Sequence, residues 1–223
     1  MKGAVRLATL LVCVTSATAC AGGSGTKTEG KTATTVSTTS ETALKTTKQL
    51  AAGLLTPTDL GKGWSEVAIE ALGGDLCGIV PLKAAGTTKA RSEFVRVVDS
   101  ELVQDGLTAY PTGGAAAAFA ALRAATDGCK SYPVSVKNSA TGASQQFTVG
   151  VDAVPLPAVG DERLGLRLAV RDAGGKPQRT LYAVIRRGDV IAALTVTGVE
   201  PDRKLFDRVL PIIDERLGKL ATP

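Results

Sequence analysis

The chain has 223 residues, 26 basic and 21 acidic side chains, a formal charge of +5 and no histidine. The missing imidazole excludes Ser-His-Asp and Cys-His catalysis and removes the commonest zinc ligand. The basic residues are scattered rather than gathered into a patch, so no nucleic-acid partner is expected.

Lys2 and Arg6 precede an apolar run from Leu7 to Val14, and small residues fill Ser16 to Ala19. A positive start, a short apolar centre and a small-residue exit read as a secretory signal peptide over residues 1–19. The apolar run is far shorter than the roughly 20 residues that a membrane-spanning helix needs. Cys13 is expected to leave with the signal, as are Lys2 and Arg6. That takes the basic count from 26 to 24 against 21 acids, a charge of +3.

Cys20 follows Ala17-Thr18-Ala19 and precedes Ala21-Gly22-Gly23. This resembles a bacterial lipobox, in which such a cysteine receives diacylglycerol, although Ala17 stands where leucine is usual. Ala-x-Ala is also the pattern of ordinary signal cleavage. Counting thiols bears on the choice. The mature chain keeps Cys20, Cys77 and Cys129, and an odd cysteine in an exported protein needs an explanation. Lipidation of Cys20 supplies one and leaves Cys77 and Cys129 free to bond each other. The alternative is a free N-terminal thiol on a soluble secreted protein.

From residue 20 to 48 the chain is Thr-rich, with scattered Lys and Glu and almost no large apolar side chain. Such a segment cannot bury enough surface to offset its ordering entropy, and it reads as a disordered tether. As a flexible coil it would hold the domain about 25 to 30 Å from the anchor. Its threonines could carry sugar.

Residues 49–223 have the length of one domain. Leu54 to Trp64 reads as a short helix, opened by Thr56 as cap and Pro57 at its first position, with Trp64 packing partly into the core. Glu93 to Val98 and Glu101 to Tyr110 read as strands, the second broken at Gly106. The alanine-rich stretch after Thr112 is the clearest helix, with Thr112 as its cap. Ala115, Phe119, Leu122, Ala125 and Cys129 recur at helical spacing, which puts Cys129 at the helix end on the side facing the core.

Residues 143–156 are expected to add a strand or two. Leu164, Leu166, Leu168 and Val170 then alternate with Arg167 and Arg171 on the opposite face. A turn over Asp172 to Pro177 and another at Arg187-Gly188-Asp189 connect this strand to two more in a meander. A closing helix from about Pro201 carries Leu205, Val209, Ile212, Ile213 and Leu220, with Pro211 expected to kink or split it. The order of elements gives an α+β domain, with helices flanking a mainly antiparallel sheet.

Few constellations carry chemistry. Gly73-Gly74 and Gly113-Gly114 read as turn and helix-start punctuation, since neither lies in a strand-to-helix phosphate loop. Asp161 with Glu162, and Glu200 with Asp202, are the nearest carboxylate pairs, and both flank turns. Arg187-Gly188-Asp189 matches an adhesion tripeptide but stands where a hairpin turn needs Gly and Asp. No cofactor or metal motif occurs. A Cys77–Cys129 bridge closes a loop of about 50 residues and is structural, worth about 4 kcal/mol in chain-entropy terms.

Taken together, the tether, Leu54-Leu55-Thr56-Pro57-x-Asp59-Leu60-Gly61-x-Gly63-Trp64, Cys77, Tyr110-Pro111 and the alanine-rich helix closing on Cys129 resemble a known family. That family is the actinobacterial lipoproteins related to the extracellular sensor domain of PknH-type receptor kinases. The resemblance runs over most of Leu54 to Leu220. It implies an exported domain with a sheet, flanking helices and a groove that receives an unidentified ligand. The kinase sensors are expected to hold two disulfides, whereas this chain has cysteines for one. Kinase and membrane-spanning parts have no counterpart here, so the transferable property is binding. No motif of the family assigns a ligand contact to a residue of this sequence.

Three functional readings remain open. The first is a lipid-anchored, non-catalytic, sensor-like domain that binds a small molecule, in a pocket between sheet and helix lined by Phe, Leu and Val with one or two arginines. The second is an interaction module docking on another envelope protein or cell-wall polymer through an exposed apolar patch. The third is a hydrolase with two carboxyl groups about 5 to 9.5 Å apart in one cleft.

Overall fold

The computed structural model describes residues 44–68, 76–78, 86–137, 144–171, 175 and 177–221. These belong to a compact unit spanning residues 40–223. The signal segment, Cys20, most of the tether, Gly73-Gly74 and most of the turn after Arg171 lie outside the described residues.

The chain enters through α1 (Thr47–Ala51), which takes in Thr47 and Lys48, two residues that the sequence reading gives to the tether. Its start is closed by a capping box: the Thr46 amide donates to Gln49 Oε1 at 2.8 Å, and the Gln49 amide donates to Thr46 Oγ1 at 3.3 Å. A second short helix, α2 (Pro57–Leu60), opens at Thr56 with Pro57 in its first turn. The Thr56 amide donates to Asp59 Oδ2 at 2.7 Å. Trp64 comes next and is 6 % exposed.

Eight strands make one sheet: β1 (Ser65–Glu66), β2 (Thr88–Arg96), β3 (Glu101–Ala109), β4 (Ser131–Lys137), β5 (Ser144–Ala153), β6 (Glu162–Arg171), β7 (Pro177–Arg187) and β8 (Val190–Gly198). Their spatial order is β1-β2-β3-β8-β7-β6-β5-β4, and every neighbouring pair is antiparallel. β8 thus slots between β3 and β7 and joins an N-terminal hairpin to a C-terminal meander.

Two helices complete the fold, α3 (Gly114–Thr126) and α4 (Arg203–Ala221). Alternation along the strands divides apolar side chains between the two faces of the sheet. On one face Phe94, Val103, Leu107, Leu181, Leu194 and Val196 pack with α4 and with Leu50, Leu60 and Trp64 from the entry segment. On the other, Ala115, Phe119 and Leu122 of α3 cover Val151, Leu166, Val184 and Ile191. The chain's three tyrosines, Tyr110, Tyr132 and Tyr182, gather on this second face beside Cys77 and Cys129.

The structure departs from the sequence reading at several points. Gly106 does not break β3, because it stays paired with Arg91 on one side and Ala193 on the other. A strand bonded on both edges tolerates the residue, and the Arg91 stem packs 3.5 Å from where its Cβ would be. Val97 and Val98 leave the expected strand for a 3-10 turn closed by Ser100 at φ 52°, and their side chains are exposed.

At α3 the N-cap is Gly113, in a left-handed conformation at φ 77°, not Thr112. The helix stops at Thr126 with Asp127 as its C-cap, and Cys129 lies in the turn that follows, packed against the core of the α3 face as expected. In α4, Pro211 neither splits nor ends the helix, which runs for 19 residues. Pro211 faces solvent, while Leu205, Phe206, Val209 and Leu210 before it and Ile213 and Leu217 after it are buried. Burial on both sides of the proline outweighs the one bond it cannot donate.

β4, absent from the sequence reading, forms an edge of the sheet. The Val151 amide donates to the Lys130 carbonyl at 2.9 Å, and this fixes the alternation of bonded pairs along β4 and β5. Pro133, opposite Thr148, therefore falls at a position whose amide would point away from the sheet.

A segment after β5 crosses back over β6, and two glycines permit it. A Cβ on Gly165 would collide with the Val154 carbonyl and come within 2.7 Å of Leu156 Cγ. Gly160, at φ 64°, would place one 2.5 Å from Ile185 Cγ2.

Candidate functional site

Each carboxylate pair singled out in the sequence has a local structural task. Asp161 and Glu162 both pair with Arg186, and Asp161 Oδ2 also accepts the Gly188 amide at 2.8 Å. Asp202 caps α4 by accepting the Leu205 amide at 2.9 Å, while its own amide donates to Glu101 Oε1 at 2.8 Å. Glu200 projects from an exposed bend beside it.

Arg187-Gly188-Asp189 forms the β7–β8 turn, with Gly188 at φ 55°. Asp189 Oδ1 accepts the Gly113 amide at 2.9 Å, its carbonyl accepts the Tyr110 amide at 2.9 Å, and Arg187 pairs with Asp214 at 2.9 Å. The tripeptide is thus bonded inward at both ends. Among the described residues no group of three or more His, Cys, Asp or Glu is placed to hold a metal ion.

Cys77 and Cys129 form a disulfide with Cα atoms 6.2 Å apart, closing a separation of 52 residues. Cys77 has φ 52° and Gly78 has φ 83°, so the chain makes two successive left-handed steps at the bridge. A left-handed non-glycine residue is costly and persists where the surroundings hold it, here through the bond to the end of α3.

A cavity of about 550 Å³ opens at a fork between β5 and β6. The two strands pair from Ala153↔Leu166 to Gly150↔Ala169. Beyond that point β5 stays with β4 back to Ser144, while β6 stays with β7 out to Arg171. Its walls are apolar at Phe147, Ala169, Val170 and Pro177 and polar at Gln146, Thr148 and Gln178, with Arg171 and Arg179 completing them. The volume lies within the range of small-molecule sites, about 300 to 1,000 Å³.

Both arginines are held by backbone carbonyls. Arg171 Nη1 donates to the Gly175 carbonyl at 3.1 Å, and Arg179 Nη1 donates to the Val199 carbonyl at 2.9 Å. Neither pairs with a carboxylate among the described residues. Arg179 stands opposite Ala169, two residues from Arg171 on β6, so the two are diagonal neighbours with Cβ atoms about 7 to 8 Å apart.

Of the expected lining, phenylalanine, valine and two arginines are present in Phe147, Val170, Arg171 and Arg179 but leucine is not, and the cavity lies at a strand fork, not between sheet and helix. The sequence carries one usable signal for it. Arg171 and Arg179 bracket the β6–β7 hairpin turn and so return to the same end of the sheet.

No helix among the described residues is long and apolar enough to cross a membrane. No family model and no curated protein matches the chain. A solved structure does: the extracellular domain of PknH from Mycobacterium tuberculosis, at 14 % identity and a TM-score of 0.59, over 79 % of this chain and 98 % of that one. The chain shares the fold of that extracellular domain.

Proposed function

We propose that this protein is an exported lipoprotein, held on the outer face of the cell membrane by diacylglycerol on Cys20. The Thr-rich residues between Cys20 and α1 serve as its tether, and the domain beyond them binds a small molecule without catalysis. The observation that carries the binding reading is the fork cavity, where two fixed guanidinium groups stand beside an apolar wall. The disulfide supports the anchor, since it occupies Cys77 and Cys129 and leaves Cys20 as the odd thiol. The fold shared with an extracellular domain supports export.

Mass spectrometry of the full-length protein from its native host tests both halves. One run under native conditions retains cargo, and another digests the N-terminus. Diacylglyceryl mass on Cys20 together with a stoichiometric small molecule is the expected result. An unmodified Cys20 overturns the anchor, and an empty domain overturns the binding reading.

A second reading, a module docking on another envelope protein or cell-wall polymer, draws on the β2–β3 turn. Val97 and Val98 stand there 82 % and 91 % exposed. An empty but lipidated protein would favour it.

A further inference from the structure

We infer, resting on that reading of the fork cavity, that its ligand carries a carboxylate or phosphate group bound by Arg171 and Arg179. Charge is the first observation. Six other arginines of the domain, Arg96, Arg167, Arg186, Arg187, Arg203 and Arg216, are paired with carboxylates, while Arg123 and Arg208 bond to backbone carbonyls away from the cavity. Among the described residues no acidic side chain lines the cavity, and the partners of its two arginines there are backbone carbonyls.

A guanidinium offers five donors in a planar fork. One N–H of each is spent on a carbonyl, which holds the group in place while leaving its charge and most of its donors for a ligand. The two groups stand on adjacent strands, on the same face of the sheet, and both line the cavity, where a guanidinium can bind a carboxylate or phosphate through two parallel N–H donors.

The remaining wall describes the rest of the ligand. Phe147 and Val170 offer an apolar surface, and Gln146, Thr148 and Gln178 offer neutral hydrogen-bonding groups. None of these complements a cation. The ligand is thus an anion with a neutral, partly apolar body rather than a bare inorganic ion.

The test uses the full chain with phenyl phosphate, benzoate and the neutral benzyl alcohol as probes, each titrated by NMR chemical-shift perturbation. At least one of the two anions should bind ten-fold or more tightly than benzyl alcohol. Which one does so tells a phosphate ligand from a carboxylate ligand. Arg171→Gln with Arg179→Gln should lower that affinity at least ten-fold, and Arg171→Lys with Arg179→Lys should restore part of it. Arg167→Gln, which removes a cation outside the cavity, should change it less than two-fold.

Anions that bind no tighter than benzyl alcohol overturn the inference, as does an affinity unmoved by the double glutamine substitution at unchanged melting temperature. If the natural cargo found by native mass spectrometry is neutral and stays bound in that variant, the anion inference fails while the binding reading survives. If wild type holds no cargo and none of the three probes binds, both fail.

Discussion

Asp105 Oδ2, in the middle of β3, accepts the backbone amide of Leu55 at 2.8 Å across fifty residues of sequence. The carboxyl group is 2 % exposed, directly opposite Ser92 on β2, and lies beneath the segment that joins α1 to α2. Neither Asp105 Oδ1 nor Ser92 Oγ has a hydrogen-bond partner among the described residues. Burial pushes the Asp105 carboxyl up to about 7, against the opposing pull of the Leu55 amide, the Arg216 charge and the Gly106 amide, with Asp59 adding a small push upward.

The consequence for stability has a definite sign. A carboxyl whose folded value lies above its unfolded value of 3.8 binds its proton more tightly in the folded protein. Its contribution is intact below that unfolded value and is lost as pH rises towards about 7. The loss is on the order of 4 kcal/mol. Asp105→Asn should flatten this slope and raise the melting temperature at pH 8. Thermal unfolding followed by the single tryptophan, Trp64, between pH 4 and 8 checks it, and parallel profiles for the two proteins would reject it.

Breaking the Cys77–Cys129 bond frees a loop of 52 residues in the unfolded chain. Replacing both cysteines by serine should cost about 4 kcal/mol, a drop visible in urea unfolding as a lower midpoint. Reduction of the wild-type protein should move the midpoint the same way.

Gly165 lies under the crossing of residues 154–156, where a Cβ would meet the Val154 carbonyl and Leu156. Gly165→Ala should therefore destabilise by about 1 to 3 kcal/mol through overpacking. Gly150→Ala is the contrast. Its nearest neighbour would be 3.8 Å away, so its effect should be smaller by the same unfolding measurement.

Asp189→Ala removes the acceptor of the Gly113 amide at the start of α3. A loss of about 1 kcal/mol is expected, in line with removal of a helix-start acceptor. Thermal unfolding checks it, and a melting temperature unchanged by Asp189→Ala would reject it.

Much of the fold was legible because alternation and helical spacing are local. The β6–β7–β8 meander is readable from Leu164, Leu166 and Leu168 alternating with arginines and from Gly188 at its second turn. α3 shows in its alanines, and its exact start does not, because Gly113 beats Thr112 only once Asp189 arrives from 76 residues away. Pro211 misleads for a related reason: the sheet beneath α4 outweighs a local break. β4 does alternate, with Tyr132, Val134 and Val136 two apart in the sequence, but Pro133 argues against a strand anywhere except at a sheet edge, and the edge position is not a local property.

The fork cavity was hidden more deeply. Periodicity tells which face a residue occupies but not where two strands stop pairing, so the parting of β5 and β6 at Gly150↔Ala169 leaves no local mark. Cys20 is the reverse case, read from its neighbours alone and lying outside the described residues.

Pro133 has a consequence for how copies of this chain behave when crowded. A foreign strand approaching β4 would find a missing donor near the centre of a seven-residue edge. At the opposite margin β1 offers only two residues. A second molecule laid along β4 would therefore meet a gap in the ladder within two residues of the strand's centre, and Pro133 guards that margin against side-by-side stacking.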